Sequence, residues 1–338
     1  MNFEKDFGSS SVNAYINNGS GEGITIIENE TVIQNIRVIP RVLTGTTRAR
    51  CNVKDKYGEH SSPFVIGPSA FHKLATEEAE IATAKAAEAA GIPYTVSCFA
   101  GREVREIREW LSPNNYWQQL YIFEDKSKTE KLIRIAEENK ASVLVITVGT
   151  SSKNNRTKER ETGWKAITSE NSPLGKEEKT IQNIAADINA EKATWKNLKE
   201  LKKRTKIPIV LKGIMHWKDA KKADSLDCGI VVSNHGGRQH DNTATAVDVI
   251  NEIRTNVRAE RPLFVDGGIR SAQNSLAALA IGANRIFLGR PILWKLREGG
   301  DKKLEEYLKE MKEDLEELMV ATGCKNIEEA NHLTTIIR

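Results

Sequence analysis

From Pro63 onward, short runs of apolar and β-branched residues alternate with longer segments whose apolar positions recur at helical spacing, the pattern of βα units around a parallel sheet. Eight runs read as strands: Phe64–Ile66, Tyr94–Ser97, Gln119–Ile122, Val143–Val148, Ile209–Leu211, Gly229–Val232, Leu263–Val265 and Arg285–Leu288. Several are nearly continuous in apolar residues, as strands covered on both faces must be. Between them, Glu77–Ala90, Glu103–Trp110, Lys128–Asn139, Trp195–Lys203, Lys218–Leu226, Val247–Val257 and Ala272–Ile281 are long enough for helices. The pattern predicts an α/β protein with a (β/α)8 TIM barrel. A doubly wound open sheet alternates in the same way, so the choice of a barrel leans on the motifs at the strand ends.

One interval breaks the alternation. Residues 149–193 are polar and rich in Lys, Glu, Asn and Ser, far longer than an ordinary connection, and read as a lid or insertion after the fourth strand. In the tail, Leu304, Leu308, Met311, Leu315 and Leu318 recur at helical spacing, which predicts an amphipathic helix packed on the outside of the barrel. The expected organisation is a single domain over 1–338: an N-terminal helical extension (1–62), a barrel core (63–295) carrying the 149–193 loop, and C-terminal helices (296–338).

Composition narrows the function classes. Hydrophobic residues make up 39% and charged residues 28% of the 338 positions, which is a globular balance. The 50 Lys and Arg nearly cancel the 46 Asp and Glu, and no basic cluster suggests nucleic-acid binding. The apolar run at Val143–Val148 is far too short to span a bilayer. Cys51, Cys98, Cys228 and Cys324 are scattered without a C-x-x-C pair, so reduced thiols and no metal site are expected.

The chemistry gathers at the ends of the later strands, where a parallel barrel presents its active site. Ser233-Asn234-His235-Gly236-Gly237-Arg238-Gln239 follows the sixth strand directly. Its histidine can exchange a proton near neutral pH, its arginine can fork onto a carboxylate, and its glycines let backbone approach a ligand. Asp266-Gly267-Gly268-Ile269-Arg270 and Leu288-Gly289-Arg290-Pro291 follow the seventh and eighth strands, the usual place of a barrel's phosphate site. Lys212 ends the fifth strand and puts a cation at the same mouth. By contrast, Gly19-Ser20-Gly21-Glu22-Gly23 follows no strand and reads as a turn.

These segments, with Tyr15, Glu28-Asn29, Pro40-Arg41-Val42-Leu43, Pro68-Ser69-Ala70, Ser97, Gln119-Leu120-Tyr121 and Thr147-Val148 in order, resemble the FMN-dependent L-2-hydroxy acid oxidases and dehydrogenases, the glycolate oxidase and lactate oxidase family. The resemblance covers nearly the whole chain. It implies an FMN cofactor, with Pro68, Ser69, Ala70, Ser97, Gln119, Thr147, Lys212 and Ser233 around the flavin ring and ribityl chain. Asp266, Gly268, Arg270, Gly289 and Arg290 would take the ribityl and phosphate end. It further implies Arg156 and Arg238 on the substrate carboxylate, Tyr15 and Tyr121 hydrogen-bonded to the substrate, Phe99 near its side chain, and His235 as general base. The implied reaction is oxidation of an L-2-hydroxy acid, glycolate- or lactate-like, to the 2-keto acid, with O2 as acceptor and hydrogen peroxide as product. A homotetramer is implied by the same resemblance.

The chain departs from the family in the segment Thr150–Arg160, which lacks the usual Pro and Gly-Arg-Arg pattern, at His240, where leucine is common, and most tellingly just after the fourth strand. Thr147-Val148-Gly149 stands where the family reads Thr-Val-Asp, and that aspartate orients the catalytic histidine. Loss of the comparable carboxylate in a serine protease costs about 10⁴ in turnover. Two readings follow: an active oxidase, or an FMN-binding chain with weak or no turnover. If the lost partner limits the reaction, Gly149→Asp is expected to speed it; Glu159 and Glu161 read as solvated surface charge, with replacement of the lost carboxylate by one of them as the alternative. The opening Met1–Ser11 lacks the features of a secretory signal, and the ending Ile336-Ile337-Arg338 is no Ser-Lys-Leu type address. A cytoplasmic location is therefore expected, with the peroxisome as the alternative.

Overall fold

In a computed structural model, the described residues are 7–150, 156–163, 165–167, 172, 175, 178–189 and 192–337. Eight parallel strands close into a barrel: β1 Phe64–Ile66, β2 Tyr94–Val96, β3 Tyr116–Leu120, β4 Val143–Thr147, β5 Ile209–Ile214, β6 Gly229–Val232, β7 Leu263–Val265 and β8 Arg285–Leu288. β8 pairs back onto β1 through Ile286 with Phe64 and Leu288 with Ile66, which completes the (β/α)8 architecture that the alternation predicts.

Strand periodicity explains why every strand is apolar on both faces. Val65, Trp117, Val143, Val145, Val210, Val231, Phe264 and Phe287 fill the barrel interior, while their neighbours Phe64, Ile66, Leu144, Ile146, Leu211, Ile230 and Val232 pack under the surrounding helices. The interior is closed at the N-terminal end by a hairpin of Val53–Asp55 and Gly58–His60, whose Tyr57 ring meets Phe264 edge-on at 5.5 Å. Arg285, the fully buried first residue of β8, is neutralised there by Asp55 at 2.7 Å and also bonded to His60 Nδ1 at 2.9 Å.

The third strand begins three residues before the predicted Gln119–Ile122 and ends two before its close. Gln118 is buried yet satisfied: it accepts from the Tyr116 hydroxyl at 2.6 Å and donates to the carbonyls of Val96 and Gln119. Tertiary hydrogen bonds thus carry a buried glutamine inside a strand whose first residues the apolar pattern leaves out.

Two helices, Ser10–Asn17 and Ile24–Gln34, form the N-terminal extension. The Gly19–Gly23 turn joins them, and Asp241 accepts hydrogen bonds from the amides of Glu22, Gly23 and Thr25 at 2.8, 3.0 and 2.9 Å. This carboxylate therefore caps the second helix. The tail helix runs from Arg290 to Ala321 with a break at Gly299–Gly300. Its buried stripe is Leu304, Leu308, Met311, Leu315 and Met319, so Met319 and not the predicted Leu318 ends it.

Within the predicted 149–193 lid lie the short helix Thr157–Glu161, a hairpin of Lys165–Ile167 with Glu178–Thr180, and the helix Ile181–Ile188. Residues 151–155, 164, 168–171, 173–174, 176–177 and 190–191 of that segment lie outside the described residues. No helix among the described residues is long and apolar enough to cross a membrane.

Candidate active site

One cavity opens at the C-terminal ends of the barrel strands, and every residue assigned above to cofactor or substrate lines it except Ser233. Ser233 lies beneath, buried, and its hydroxyl accepts from Lys212 Nζ at 2.9 Å and from the His235 amide at 3.1 Å.

Parallel register puts Lys212 beside Thr147 on one side and Val231 on the other. Its ammonium is buried and paired with Asp266 Oδ2 at 2.6 Å. Gln119 accepts from the Cys98 amide at 3.1 Å and donates to the Thr147 hydroxyl at 3.1 Å, which ties the ends of β3 and β4 together. Lys212, Asp266, Gln119 and Thr147 line the same cavity as Phe287.

At the far end, Gly268 adopts φ +74°, and a Cβ there would sit 1.7 Å from the Asn29 carbonyl oxygen, so only glycine fits under the N-terminal extension. Arg270 is held by Glu30 at 2.7 Å and lies over the Trp294 ring at 5.0 Å. Gly289 caps the tail helix, and a Cβ built on it meets nothing within 4 Å. Arg290 Nε donates to the Ile16 carbonyl at 3.0 Å, while Nη2 donates to Asn18 and Gly236 at 3.3 and 3.1 Å. The arginine expected on a phosphate thus also joins the extension to the histidine loop.

The residues fit FMN on their own terms. Asp266 Oδ1 and Arg270 Nε are buried atoms with no hydrogen-bond partner among the described residues, one acceptor and one donor on residues that line the same cavity. Gly289, with open space at its Cβ position, caps the helix that starts at Arg290 and lines the same cavity as Arg270, a setting suited to a phosphate. Lys212 adds an ammonium to the lining, a cation of the kind that an electron-rich flavin ring would need.

His235 sits in left-handed backbone at φ +59°, a conformation uncommon for a side chain with Cβ and often found at functional positions. Asn234 stabilises the turn by accepting from the Gly237 amide at 3.2 Å, and exchanges amide hydrogen bonds with Asn29 at 2.9 and 3.1 Å. Burial, then the cations Lys212, Arg156, Arg238 and Arg290, hold the imidazole pKa well below its ordinary 6.5. The ring is neutral at pH 7, as a proton acceptor must be.

Arg156 and Arg238 converge as expected, with a third partner that sequence reading places in solvent. Glu159 is buried, 3.3 Å from Arg156 Nη1 and 3.2 Å from Arg238 Nη2. Two guanidiniums side by side, Arg156 buried and Arg238 partly so, repel, and one carboxylate between them relieves both. Burial and Arg238 still lower the Arg156 pKa. Arg238 also lies over the Tyr15 ring at 5.0 Å and donates to the Asn18 carbonyl at 3.2 Å. Burial raises the pKa of both Tyr15 and Tyr121, so both phenols stay protonated.

Gly149 packs its Cα against β5. A Cβ there would lie 2.9 Å from Gly213 Cα and 3.0 Å from its carbonyl oxygen, so a side chain requires the two strands to part. Missing from the sequence reading are Thr150 and the apolar face of the Ile181–Ile188 helix. Ile184, Ala185 and Ile188 from that helix line the cavity together with Phe99. The spacing of these residues inside an otherwise polar insertion is the signal that finds them.

The family profile described as FMN-dependent dehydrogenase matches residues 6–336. The chain is 34% identical to 2-hydroxyacid oxidase of Dictyostelium discoideum, covering 94% of this chain and 84% of that one. It is 32% identical to 4-hydroxymandelate oxidase of Amycolatopsis orientalis, over 95% and 92% of the two chains. The structure of mandelate oxidase with (S)-4-hydroxymandelic acid superposes with a TM-score of 0.91 at 30% identity, over 99% of this chain and 97% of that one. None of these relatives supports the reading of a flavin-binding chain with weak turnover. The cavity, its residues and these likenesses agree: the chain belongs to the FMN-dependent dehydrogenase family, with 2-hydroxyacid oxidases as its relatives.

Proposed function

We propose that the chain oxidises an L-2-hydroxy acid with an apolar side chain to the 2-keto acid, and that dioxygen takes the electrons to give hydrogen peroxide. The observation that carries this reading is the convergence of a neutral, half-buried His235 with Arg156 and Arg238 on the cavity that Lys212 and Gln119 also face. FMN, when bound, supplies the two-electron acceptor. Pro68, Ser69, Ala70, Ser97, Gln119, Thr147, Lys212 and Ser233 would hold its ring and ribityl chain, and Asp266, Gly268, Arg270, Gly289 and Arg290 its phosphate end.

Arg156 and Arg238 bind the substrate carboxylate, Tyr15 and Tyr121 donate to its oxygens, and His235 Nε2 takes the proton that the substrate gives up. The acid loses two protons and two electrons, which equal those needed to convert O2 to H2O2. Phe99, Ile184 and Ile188 in the same cavity favour an aliphatic or aryl side chain over the bare α-carbon of glycolate. The test is oxygen uptake by the FMN-loaded protein with a panel of L-2-hydroxy acids. One peroxide and one 2-keto acid per O2 consumed is expected. Flavin bleaching without oxygen uptake would replace dioxygen by another acceptor.

A further inference from the structure

With glycine at position 149, the histidine needs another group to set its ring. The charged groups that shift His235 are all cations, Lys212, Arg156, Arg238 and Arg290. The two carboxylates among these cations are spent on them, Asp266 on Lys212 and Glu159 on both arginines. What stands against the imidazole is the hydroxyl of Thr150, whose Oγ1 lies 3.5 Å from His235 Nδ1. The distance is long for a hydrogen bond, a length common in resting catalytic sites that tighten when substrate binds.

Which way this contact points follows from complementarity. A neutral imidazole has one N–H and one lone pair. The cations around it can only donate, so they match the lone pair, whereas a hydroxyl oxygen can accept the N–H. Nε2 makes no hydrogen bond among the described residues. We propose that Thr150 is the positioning residue of His235: its hydroxyl oxygen accepts Nδ1–H and fixes the tautomer whose Nε2 lone pair opens into the cavity.

This rests on the reading of His235 as the base. Thr150 supplies the orienting half of what an aspartate does, without the negative charge that steadies an imidazolium. The same hydroxyl reaches toward Tyr121, where it partly offsets the effect of burial on that phenol. One side chain thereby serves the base and a substrate-facing donor together.

The test uses FMN-loaded protein with 15N-labelled histidine, the His235 signals being assigned by their loss in His235→Asn. The expected wild-type spectrum has a protonated Nδ1 and an unprotonated Nε2. Thr150→Val is expected to mix the two tautomers and slow anaerobic flavin reduction by about tenfold to a hundredfold, without changing the substrate concentration at half-saturation. Thr150→Ser restores both. An Nε2–H tautomer in the wild type, or a Thr150→Val protein with unchanged tautomer and rate, overturns the assignment. The expected tautomer in a wild type that no 2-hydroxy acid reduces would uphold the positioning role and sink the oxidase reading.

Discussion

Glu159 Oε2 lies 3.2 Å from Arg238 Nη2, a contact between residues 79 positions apart in sequence and buried on the carboxylate side. Since Arg156 shares the same carboxylate, Glu159→Gln leaves the buried Arg156 and the partly buried Arg238 guanidiniums facing each other. Removing one partner of a buried pair costs about 3–5 kcal/mol. Because the Thr157–Glu161 helix is only five residues long, the cost is expected to appear as local opening. Amide exchange at residues 157–163 should accelerate while the barrel strands keep their protection. Unchanged exchange in that helix would show that the ion triad does not hold it.

The close approach of Gly149 to Gly213 reverses the first expectation for Gly149→Asp. Gly149→Ala and Gly149→Asp should both lower the unfolding free energy read from urea titration, by the roughly 1–3 kcal/mol typical of overpacking, and neither should speed flavin reduction. A faster Gly149→Asp enzyme with wild-type stability would mean that the strands part without strain and that a carboxylate behind His235 is what the site lacks.

The depressed pKa of His235 has a kinetic signature. The base is already neutral at its ordinary value of 6.5, so its protonation takes effect only at distinctly lower pH. A plot of log kcat/KM for the free enzyme is expected to be flat through pH 6.5 and to fall only below it. An inflection centred at 6.5 would contradict the electrostatic picture of four surrounding cations.

Acid stability is governed elsewhere, at the closed end of the barrel. His60 is pushed down to about 4 by burial and then by Arg285, from 6.5. The folded-state value is the lower one, so the unfolded chain binds the extra proton first. Stability present above pH 6.5 is lost as pH falls toward 4, by at most about 3 kcal/mol. His60→Gln, which keeps an acceptor for Arg285, should flatten the urea midpoint between pH 6.5 and 4.5. An identical pH dependence in variant and wild type would remove His60 from the account.

Much of this architecture is legible in the chain. Buried parallel strands announce themselves as continuous apolar runs, and the strand-end segments Ser233–Gln239, Asp266–Arg270 and Gly289–Arg290 do meet around one cavity. What escapes reading depends on partners remote in sequence. Gln118 is apolar in effect because Tyr116 and the Val96 carbonyl satisfy it, so the apolar pattern starts the third strand late. Glu159 looks like surface charge until the fold brings Arg238 to it. Ile36–Val38 becomes a strand only because Thr335–Ile337 pairs with it from the other end of the chain. Thr150 is an ordinary threonine until the turn after β4 sets it against His235.

The most direct test of the central claim is anaerobic titration of the FMN-loaded protein with L- and D-2-hydroxy acids, following the oxidised flavin band at about 450 nm. The account predicts rapid, stoichiometric bleaching by an L-acid with an apolar side chain, and none in His235→Ala that retains its FMN. A flavin that no L-2-hydroxy acid bleaches, or bleaching that survives the loss of His235, would contradict it.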